Sequence, residues 1–251
     1  MIRRVAGAAQ VEYHDSLPST NNRARELENE GAHDWSVVWA GVQTAGRGRR
    51  GRRWQAGTGE GLLVSVLLPE AWAPMPQAPS LAVGLAVARV LDGWLAPGSA
   101  EPVVEVKWPN DLMVEGKKVA GVLCERWSGE RLGRIVAGVG VNLTQSEDDF
   151  PQEIRDGATS MRMLGAGSVD GSQLLADILE ELRSMDGETA EEVLAGLQAR
   201  DHLEGARVVG EDGVQGVASG LDPSGSLRIR TAEGVVVHLV AGSVRLVPQG
   251  E

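Results

Sequence analysis

The chain has 251 residues, enough for one or two domains, and its 42% apolar and 24% charged residues are typical of a globular protein. A single cysteine excludes an internal disulfide and a cysteine-based zinc site, and the four scattered histidines predict no metal site. No apolar run reaches the ~20 residues that a membrane helix needs, and the first residues lead into no signal-peptide core. We therefore expect a cytoplasmic protein without a membrane partner.

Charge is unevenly distributed along the chain. The net charge is −11, yet five arginines fall within seven residues: Arg47, Arg49, Arg50, Arg52 and Arg53. The remainder has 19 basic and 35 acidic residues, so we expect no nucleic-acid partner, because phosphate neutralisation needs broad positive potential. A single basic loop in an acidic protein favours a small anion. The three lysines of the chain also fall within twelve positions: Lys107, Lys117 and Lys118.

The first part of the chain alternates helices and strands. Residues 15–20 are polar and predict a turn, followed by a short helix over 21–31. Apolar periodicity then predicts strands over 35–42 and 62–68 and a helix over 77–95. The glycine- and arginine-rich loop over 44–60 is longer than a usual connection, and loops of this length are frequently functional.

Further strands and helices follow, and then the pattern changes. Strands are predicted over 103–108, 111–114, 118–126 and 132–143, a weakly structured acidic stretch over 146–157, and one or two helices over 172–203, broken near 186–187. Five short valine-rich runs after residue 204 predict a small β-barrel. We therefore predict an α+β domain over 1–202 and a small barrel domain over 203–251.

The loop 46–52 is the stretch most suggestive of ligand binding. Its glycines permit positive φ angles and a close approach of the backbone, and its arginines offer forked donors for phosphate or carboxylate oxygens. Such a loop can fold around a polyanion. A solvated basic loop or a tether for RNA is the alternative interpretation.

Four other motifs carry polar side chains at the ends of predicted elements: 19–21 (Ser-Thr-Asn), 107–112 (Lys-Trp-Pro-Asn-Asp-Leu), 118–125 (Lys-Val-Ala-Gly-Val-Leu-Cys-Glu) and 138–142 (Gly-Val-Gly-Val-Asn). The proline at position 109 forces an extended residue before it, and Asn-Asp favours a turn. Each motif also has an ordinary structural interpretation, as a helix cap, a turn under a packed tryptophan, an edge charge or a strand end.

In this order, together with the 46–54 loop, these motifs resemble the biotin–protein ligase family over about residues 15–247. The resemblance implies a class II synthetase-like mixed sheet with flanking helices and a C-terminal SH3-like β-barrel. It implies an enzyme that activates biotin with ATP to biotinyl-5′-AMP, releasing pyrophosphate. The biotin is then transferred to a lysine of the biotin carboxyl carrier domain of an acyl-CoA carboxylase. Mg²⁺ is expected to accompany ATP.

The resemblance also implies roles for individual residues, matched motif by motif. Lys118, Arg49 and Asp111 are the expected catalytic residues. The side chains and backbone expected to bind biotin are Ser19, Thr20, Asn21, Gln43, Arg47, Gly48, Arg49 and Lys118. Those expected to bind ATP or the adenylate are Arg47, Arg49, Arg50, Trp54, Lys107, Asn110 and Asn142.

Two features depart from the family pattern. Only 14 residues precede Asp15, too few for the N-terminal helix-turn-helix of many relatives, so we expect no repressor role. Ser243 stands where an acidic residue is common in the barrel. The alternatives are a lipoate–protein ligase, a nucleic-acid binder that uses the arginine loop, and a biotin sensor without catalysis. The oligomeric state, monomer or homodimer, stays open.

Overall fold

Two β-sheets of unequal size organise the chain in a computed structural model that describes residues 4–72, 74–99, 101, 103–127 and 133–247. The larger sheet has seven strands: β1 (Gln10–Leu17), β2 (Ser36–Gln43), β3 (Gly61–Leu67), β4 (Glu105–Lys107), β5 (Asp111–Val114), β6 (Lys117–Glu125) and β7 (Val136–Asn142). Their order is β1-β2-β3-β7-β6-β5-β4. Only β1 and β2 pair in parallel, so the predicted mixed sheet is confirmed.

The edge strand β1 is the element that the sequence prediction missed. Residues 15–17 were expected in a turn but extend β1 as far as Leu17. Its sequence has His, Asp and Ser at its centre, which are poor strand formers. Parallel pairing with β2 overrides that local preference, with Val11 opposite Val37 and Tyr13 opposite Trp39.

Four helices flank the sheet: α1 (Thr20–Asn29), α2 (Pro79–Leu95), α3 (Gly171–Ser184) and α4 (Ala190–Gln198). Helix α2 has buried residues on several sides because it packs between the sheet and the helices α3 and α4. The predicted break at 186–187 is confirmed as a short 3₁₀ turn, Met185–Gly187. Thr189 and Glu192 then form a capping box at the start of α4. The acidic stretch over 146–157 contains only two single 3₁₀ turns.

The second sheet contains the five short strands predicted after residue 204: β8 (Arg207–Gly210), β9 (Gln215–Leu221), β10 (Leu227–Arg230), β11 (Val236–Leu239) and β12 (Val244–Leu246). Their order is β11-β10-β9-β8-β12, all antiparallel, which is consistent with an SH3-like domain. The predicted small SH3-like domain is confirmed; its sheet is not closed, since β11 and β12 are the two edges among the described residues.

The apolar face of the second sheet packs against the rest of the chain. Buried residues of the small sheet, among them Ala218, Leu227 and Ile229, belong to the same apolar cluster as the large sheet and α2. Trp108 Nε1 donates to the carbonyl of Gly225 at 3.0 Å, across the junction. The apolar face is therefore covered by the neighbouring layer rather than by barrel closure. The exact boundary between residues 202 and 203 stays a prediction.

No helix among the described residues combines the length and the apolar character needed to cross a bilayer.

Candidate active site

The side chains predicted from sequence meet around one cavity of about 450 Å³. Those that line it are Ser19, Thr20, Asn21, Gln43, Arg47, Gly48, Arg49, Arg50, Trp54, Lys107, Asn110, Asp111, Lys118 and Asn142. They come from the start of α1, the ends of β2 and β7, the loop 46–54, and strands β4 to β6. The structure thus brings together every predicted site residue, while the individual roles stay predictions.

One end of the cavity is a buried hydrogen-bond network at the N-terminus of α1. Gln43 Oε1 accepts from the backbone N of Thr20 at 2.8 Å and from its hydroxyl at 3.2 Å. The Ser65 hydroxyl lies 2.7 Å from Thr20 Oγ1 and 2.6 Å from Asn21 Oδ1, and can donate to one of them at a time. Ser65, Thr20 and Asn21 are all buried. These neutral groups therefore present fixed donors and acceptors.

Asn21 is held at three points. Its Nδ2 donates to Glu125 Oε2 at 2.7 Å and to the carbonyl of Leu123 at 3.2 Å, while its Oδ1 faces Ser65. The side chain lies directly on Gly138, where an added Cβ would be 2.3 Å from Asn21 Oδ1. Only glycine leaves room for the amide at this point of β7.

Two further glycines make the adjoining part of the sheet flat. Gly121 on β6 pairs in register with Gly140 on β7, and the indole of Trp54 lies on both. A Cβ added at Gly140 would lie 2.5 Å from Trp54 Cε2. The ammonium of Lys118 is 5.3 Å from the centre of the indole ring, within the range of a cation–π contact. Among the described residues, Trp54 Nε1 is buried without a hydrogen-bond partner.

The arginine loop forms a short hairpin over the cavity. Arg47 and Arg53 pair as an antiparallel bridge, and the N–H of Gly48 donates to the carbonyl of Arg52 at 2.8 Å. Arg50 and Gly51 turn the chain with φ angles of 56° and 74°. A positive φ angle costs conformational free energy at Arg50, whereas Gly51 adopts one without a steric penalty because it has no Cβ.

Two hairpin arginines are tied to carboxylates outside the loop. Arg47 Nη2 is 3.1 Å from Glu125 Oε2 on β6, and Arg50 forms an ion pair with Glu211 next to β8. The pKa of Glu211 lies below its ordinary value, mainly because the Ser243 hydroxyl donates a hydrogen bond to its carboxylate. The hydrogen bond from Arg50 is the second cause. No ion pair joins Arg49 to a carboxylate among the described residues; its pKa is lowered by burial and by the neighbouring Arg50, and Asp111 opposes this. Arg49 therefore keeps its donors available to a ligand in the cavity that it lines.

The cavity wall formed by β4, β5 and β6 carries a second group of charges. Lys118 Nζ pairs with the carboxylate of Asp111. Burial lowers the pKa of the Lys107 ammonium; Asp111 opposes this shift, whereas Lys118 and Arg52 add to it. Arg49, Lys107 and Lys118 thus surround a single carboxylate at Asp111, which leaves this wall with excess positive charge.

Two asparagines fix the backbone around this wall. Asn110 Nδ2 donates to the carbonyl of Val122 at 2.7 Å, and Asn142 Nδ2 donates to that of Thr159 at 2.9 Å. Because both side-chain amides donate to backbone carbonyls, these residues hold the strand ends together, and their amide oxygens point away from those carbonyls.

The sequence interpretation overlooked four contributors: Ser65, Glu125, Glu211 and the paired glycines of β6 and β7. Ser65 had a signal, since it is the only polar side chain within the apolar strand Gly61–Leu67. Glu125 ended a motif without a role assigned to it. The glycines are explained only by strand register and by the position of Trp54, and Glu211 only by the packing of the two sheets.

Comparison with known proteins places this site in a family. Residues 13–142 match the biotin/lipoate A/B protein ligase family, and residues 205–247 match the biotin protein ligase C-terminal domain. The chain is 35% identical over 257 aligned residues to the biotin–[acetyl-CoA-carboxylase] ligase of Mycobacterium tuberculosis, covering 93% of this chain and 91% of the relative. The chain belongs to the biotin/lipoate A/B protein ligase family. The predicted resemblance to biotin–protein ligases is confirmed.

Other members of this ligase family match over different lengths. The bifunctional ligase/repressor BirA of Bacillus subtilis is 38% identical over 169 residues, 66% of this chain and 50% of that protein, so the chain spans about half the length of this curated relative. The biotin protein ligase from Aquifex aeolicus, solved in complex with biotin and ATP, has a TM-score of 0.79 at 28% identity, covering 94% of this chain and 99% of that one.

Proposed function

We propose that this chain is an ATP-dependent biotin–protein ligase. It activates biotin to biotinyl-5′-AMP with release of pyrophosphate, and then transfers biotin to a lysine of the biotin carboxyl carrier domain of an acyl-CoA carboxylase. The observation that carries the proposal is the joining of two surfaces in one cavity: a neutral, buried hydrogen-bond network, and a wall with excess positive charge.

The neutral end suits the ring system of biotin. A ureido group has both N–H donors and a carbonyl acceptor, and Ser19, Thr20, Asn21 and Gln43 offer the complementary groups in fixed orientations. Trp54, which lies on Gly121 and Gly140 and lines the cavity, offers an apolar ring to the apolar body of the ligand. Gly48 and Arg47 enclose it from the hairpin side.

The charged wall suits the first chemical step. A carboxylate is a poor electrophile, and both the carboxylate of biotin and the triphosphate of ATP are anionic, so they repel each other. Lys118, Arg49 and Lys107 bring fixed positive charge to the place where the two anions must meet. In the proposed step, the biotin carboxylate oxygen attacks the α-phosphorus of ATP, and pyrophosphate leaves.

Magnesium enters as part of the ATP substrate. Among the described residues, no group of three or more His, Cys, Asp or Glu side chains is arranged to hold a metal ion. A magnesium–nucleotide complex needs only one or two protein carboxylates besides the phosphates. Asp111 lines the cavity and would face that complex, while Arg50, Asn110 and Asn142 would contact the nucleotide.

The second step needs an amine and little further chemistry. The carrier lysine attacks the acyl carbon of the mixed anhydride, and AMP leaves. Positioning of the amine accounts for the rate, and the hairpin keeps water from the anhydride. A cytoplasmic location and the lack of a nucleic-acid partner or a repressor role stay predictions, and the choice between monomer and homodimer stays open.

The test is exchange of labelled pyrophosphate into ATP by the purified chain, followed by addition of a biotin carboxyl carrier domain. We expect exchange that depends on biotin, and a carrier whose mass rises by one biotinyl group at a single lysine. Lipoate replaces biotin in the control, because the matched family includes lipoate ligases. Exchange with lipoate alone, or biotin binding without exchange, would refute the proposal.

A further inference from the structure

Glu125 is a carboxylate beside the cavity to which the proposed chemistry gives no role. It is the last residue of β6, and its side chain is 28% exposed. It touches two groups assigned to biotin binding, Asn21 from α1 and Arg47 from the hairpin. One side chain therefore joins elements that lie about 80 to 100 residues apart in sequence.

The first contact fixes which way the Asn21 amide points. An ionised carboxylate only accepts hydrogen bonds, and Glu125 Oε2 lies 2.7 Å from Asn21 Nδ2. The Leu123 carbonyl, also an acceptor, receives the other Nδ2 proton at 3.2 Å. With both donors taken, Asn21 must turn Oδ1 towards Ser65. The amide of this cavity-lining residue is thereby held in one orientation.

The second contact anchors the hairpin. Arg47 Nη2 lies 3.1 Å and 3.4 Å from the two oxygens of Glu125, and Arg47 Nη1 donates to Asn22 Oδ1 at 2.7 Å. Both anchors belong to the sheet and α1, the same elements that build the neutral end of the cavity. The pair of Arg50 with Glu211 is more exposed on both sides, and such exposed pairs contribute little.

We propose that Glu125 is a positioning residue for biotin, which holds the Asn21 amide and the Arg47 side chain in their binding orientations at the same time. This inference rests on the proposed function. Glu125 has no contact with the reacting groups and acts only through its two partners. Its negative charge is essential, because a neutral amide would offer only one acceptor oxygen to the two donors and would turn its own N–H groups towards one of them.

Glu125→Gln is the decisive substitution, with Glu125→Asp as a second variant that keeps the charge but is too short to reach both partners. Glu181→Gln is the matched control, because Glu181 pairs with Arg89 at 3.0 Å far from the cavity. We expect Glu125→Gln to raise the KM for biotin in pyrophosphate exchange about tenfold, with a smaller change in kcat, and Glu125→Asp to lie between it and the wild type.

A second readout does not depend on catalysis. Backbone amides of the hairpin, residues 47–54, should exchange with deuterated water faster in Glu125→Gln than in the wild type, whereas Glu181→Gln should leave them unchanged. Arg47→Gln combined with Glu125→Gln should raise the KM less than the product of the two separate effects. A wild-type KM together with wild-type hydrogen exchange in Glu125→Gln would overturn the inference, as would fully independent effects in the double variant.

These outcomes separate the inference from the proposed function. If the wild-type chain shows no biotin-dependent exchange, the proposed function fails, while the hydrogen-exchange comparison still tests whether Glu125 anchors the hairpin. If the wild type is active and Glu125→Gln behaves like it in both readouts, only the role of Glu125 fails.

Discussion

The two sides of the cavity are built on different principles. The floor, formed by the start of α1 and the facing parts of β3, β6 and β7, is buried and neutral, and its Thr20, Asn21 and Ser65 side chains are hydrogen-bonded. The rim, formed by the hairpin 47–53 with Lys107, Asp111 and Lys118, is charged and partly exposed. The floor is fixed by sheet register, whereas the rim is fixed by ion pairs.

This difference separates recognition from chemistry. Neutral groups held in fixed orientations discriminate between ligands, because a ligand without the matching partner leaves their remaining donors and acceptors unpaired. Such groups suit recognition of a ring system. Charges in partly buried positions stabilise anions and respond to salt and pH. A substitution in the floor should therefore act on biotin binding, and a substitution in the rim on the adenylate and its formation.

The largest effect is expected at Lys118, where the rim meets the reacting groups. Lys118→Ala should lower biotin-dependent pyrophosphate exchange by roughly 100-fold or more, because it removes a fixed charge and leaves Asp111 unpaired beside the anions. Lys117→Ala is the control, since the neighbouring side chain does not line the cavity. Wild-type exchange in Lys118→Ala would remove this residue from the catalytic assignment.

The next effect tests the floor. Gly138→Ala places a methyl group 2.3 Å from the present position of Asn21 Oδ1, so the amide must leave its three hydrogen-bond partners. We expect biotin to bind about 10- to 100-fold more weakly, measured by titration calorimetry. Gly93→Ala in α2 meets nothing within 4 Å and should bind biotin as the wild type does. Unchanged affinity in Gly138→Ala would mean that Asn21 does not contact the ligand.

A smaller effect is expected at Arg49, a half-buried hairpin arginine that makes no ion pair among the described residues. Arg49→Ala should release biotinyl-5′-AMP into solution about tenfold faster, because a charge-assisted contact to the phosphate is lost. The release of labelled adenylate after gel filtration measures this rate. Arg230→Ala, on the outer face of the small sheet, should release it at the wild-type rate. Equal retention by Arg49→Ala would show that the hairpin does not cover the adenylate.

The smallest effect is a change in pH dependence at Lys107. Its pKa lies below the ordinary lysine value of 10.5, so its charge is lost at a lower pH than that of an exposed lysine. The KM for ATP should therefore begin to rise at a pH below 10.5 as Lys107 loses its proton. Lys107→Arg keeps its charge and should move this rise to higher pH. Identical alkaline profiles of the two proteins would exclude Lys107 from the phosphate contacts.

Most of this architecture could be predicted because its signals are local. The break between α3 and α4 and the five short strands follow from neighbouring residues. The meeting of the motifs around one site was expected only from the family resemblance. The ordered motifs also indicated the family, which the matches over 13–142 and 205–247 bear out.

The missed features are those that depend on distant partners. β1 is stabilised by its pairing with β2 against the preference of its own residues, and the buried residues of the small sheet join the apolar cluster of the large one. Likewise Glu125 and Ser65 acquire their contacts from α1, which is brought over the sheet by packing alone. No local pattern encodes such contacts.

The separation of floor from rim is tested most directly by calorimetric titration of Gly138→Ala and Arg49→Ala, first with biotin and then with a non-hydrolysable mimic of biotinyl-5′-AMP. The account predicts that Gly138→Ala loses affinity for both ligands by a similar factor, and that Arg49→Ala loses much more affinity for the mimic than for biotin. Equal losses for both ligands in Arg49→Ala, or full biotin affinity in Gly138→Ala, would contradict it.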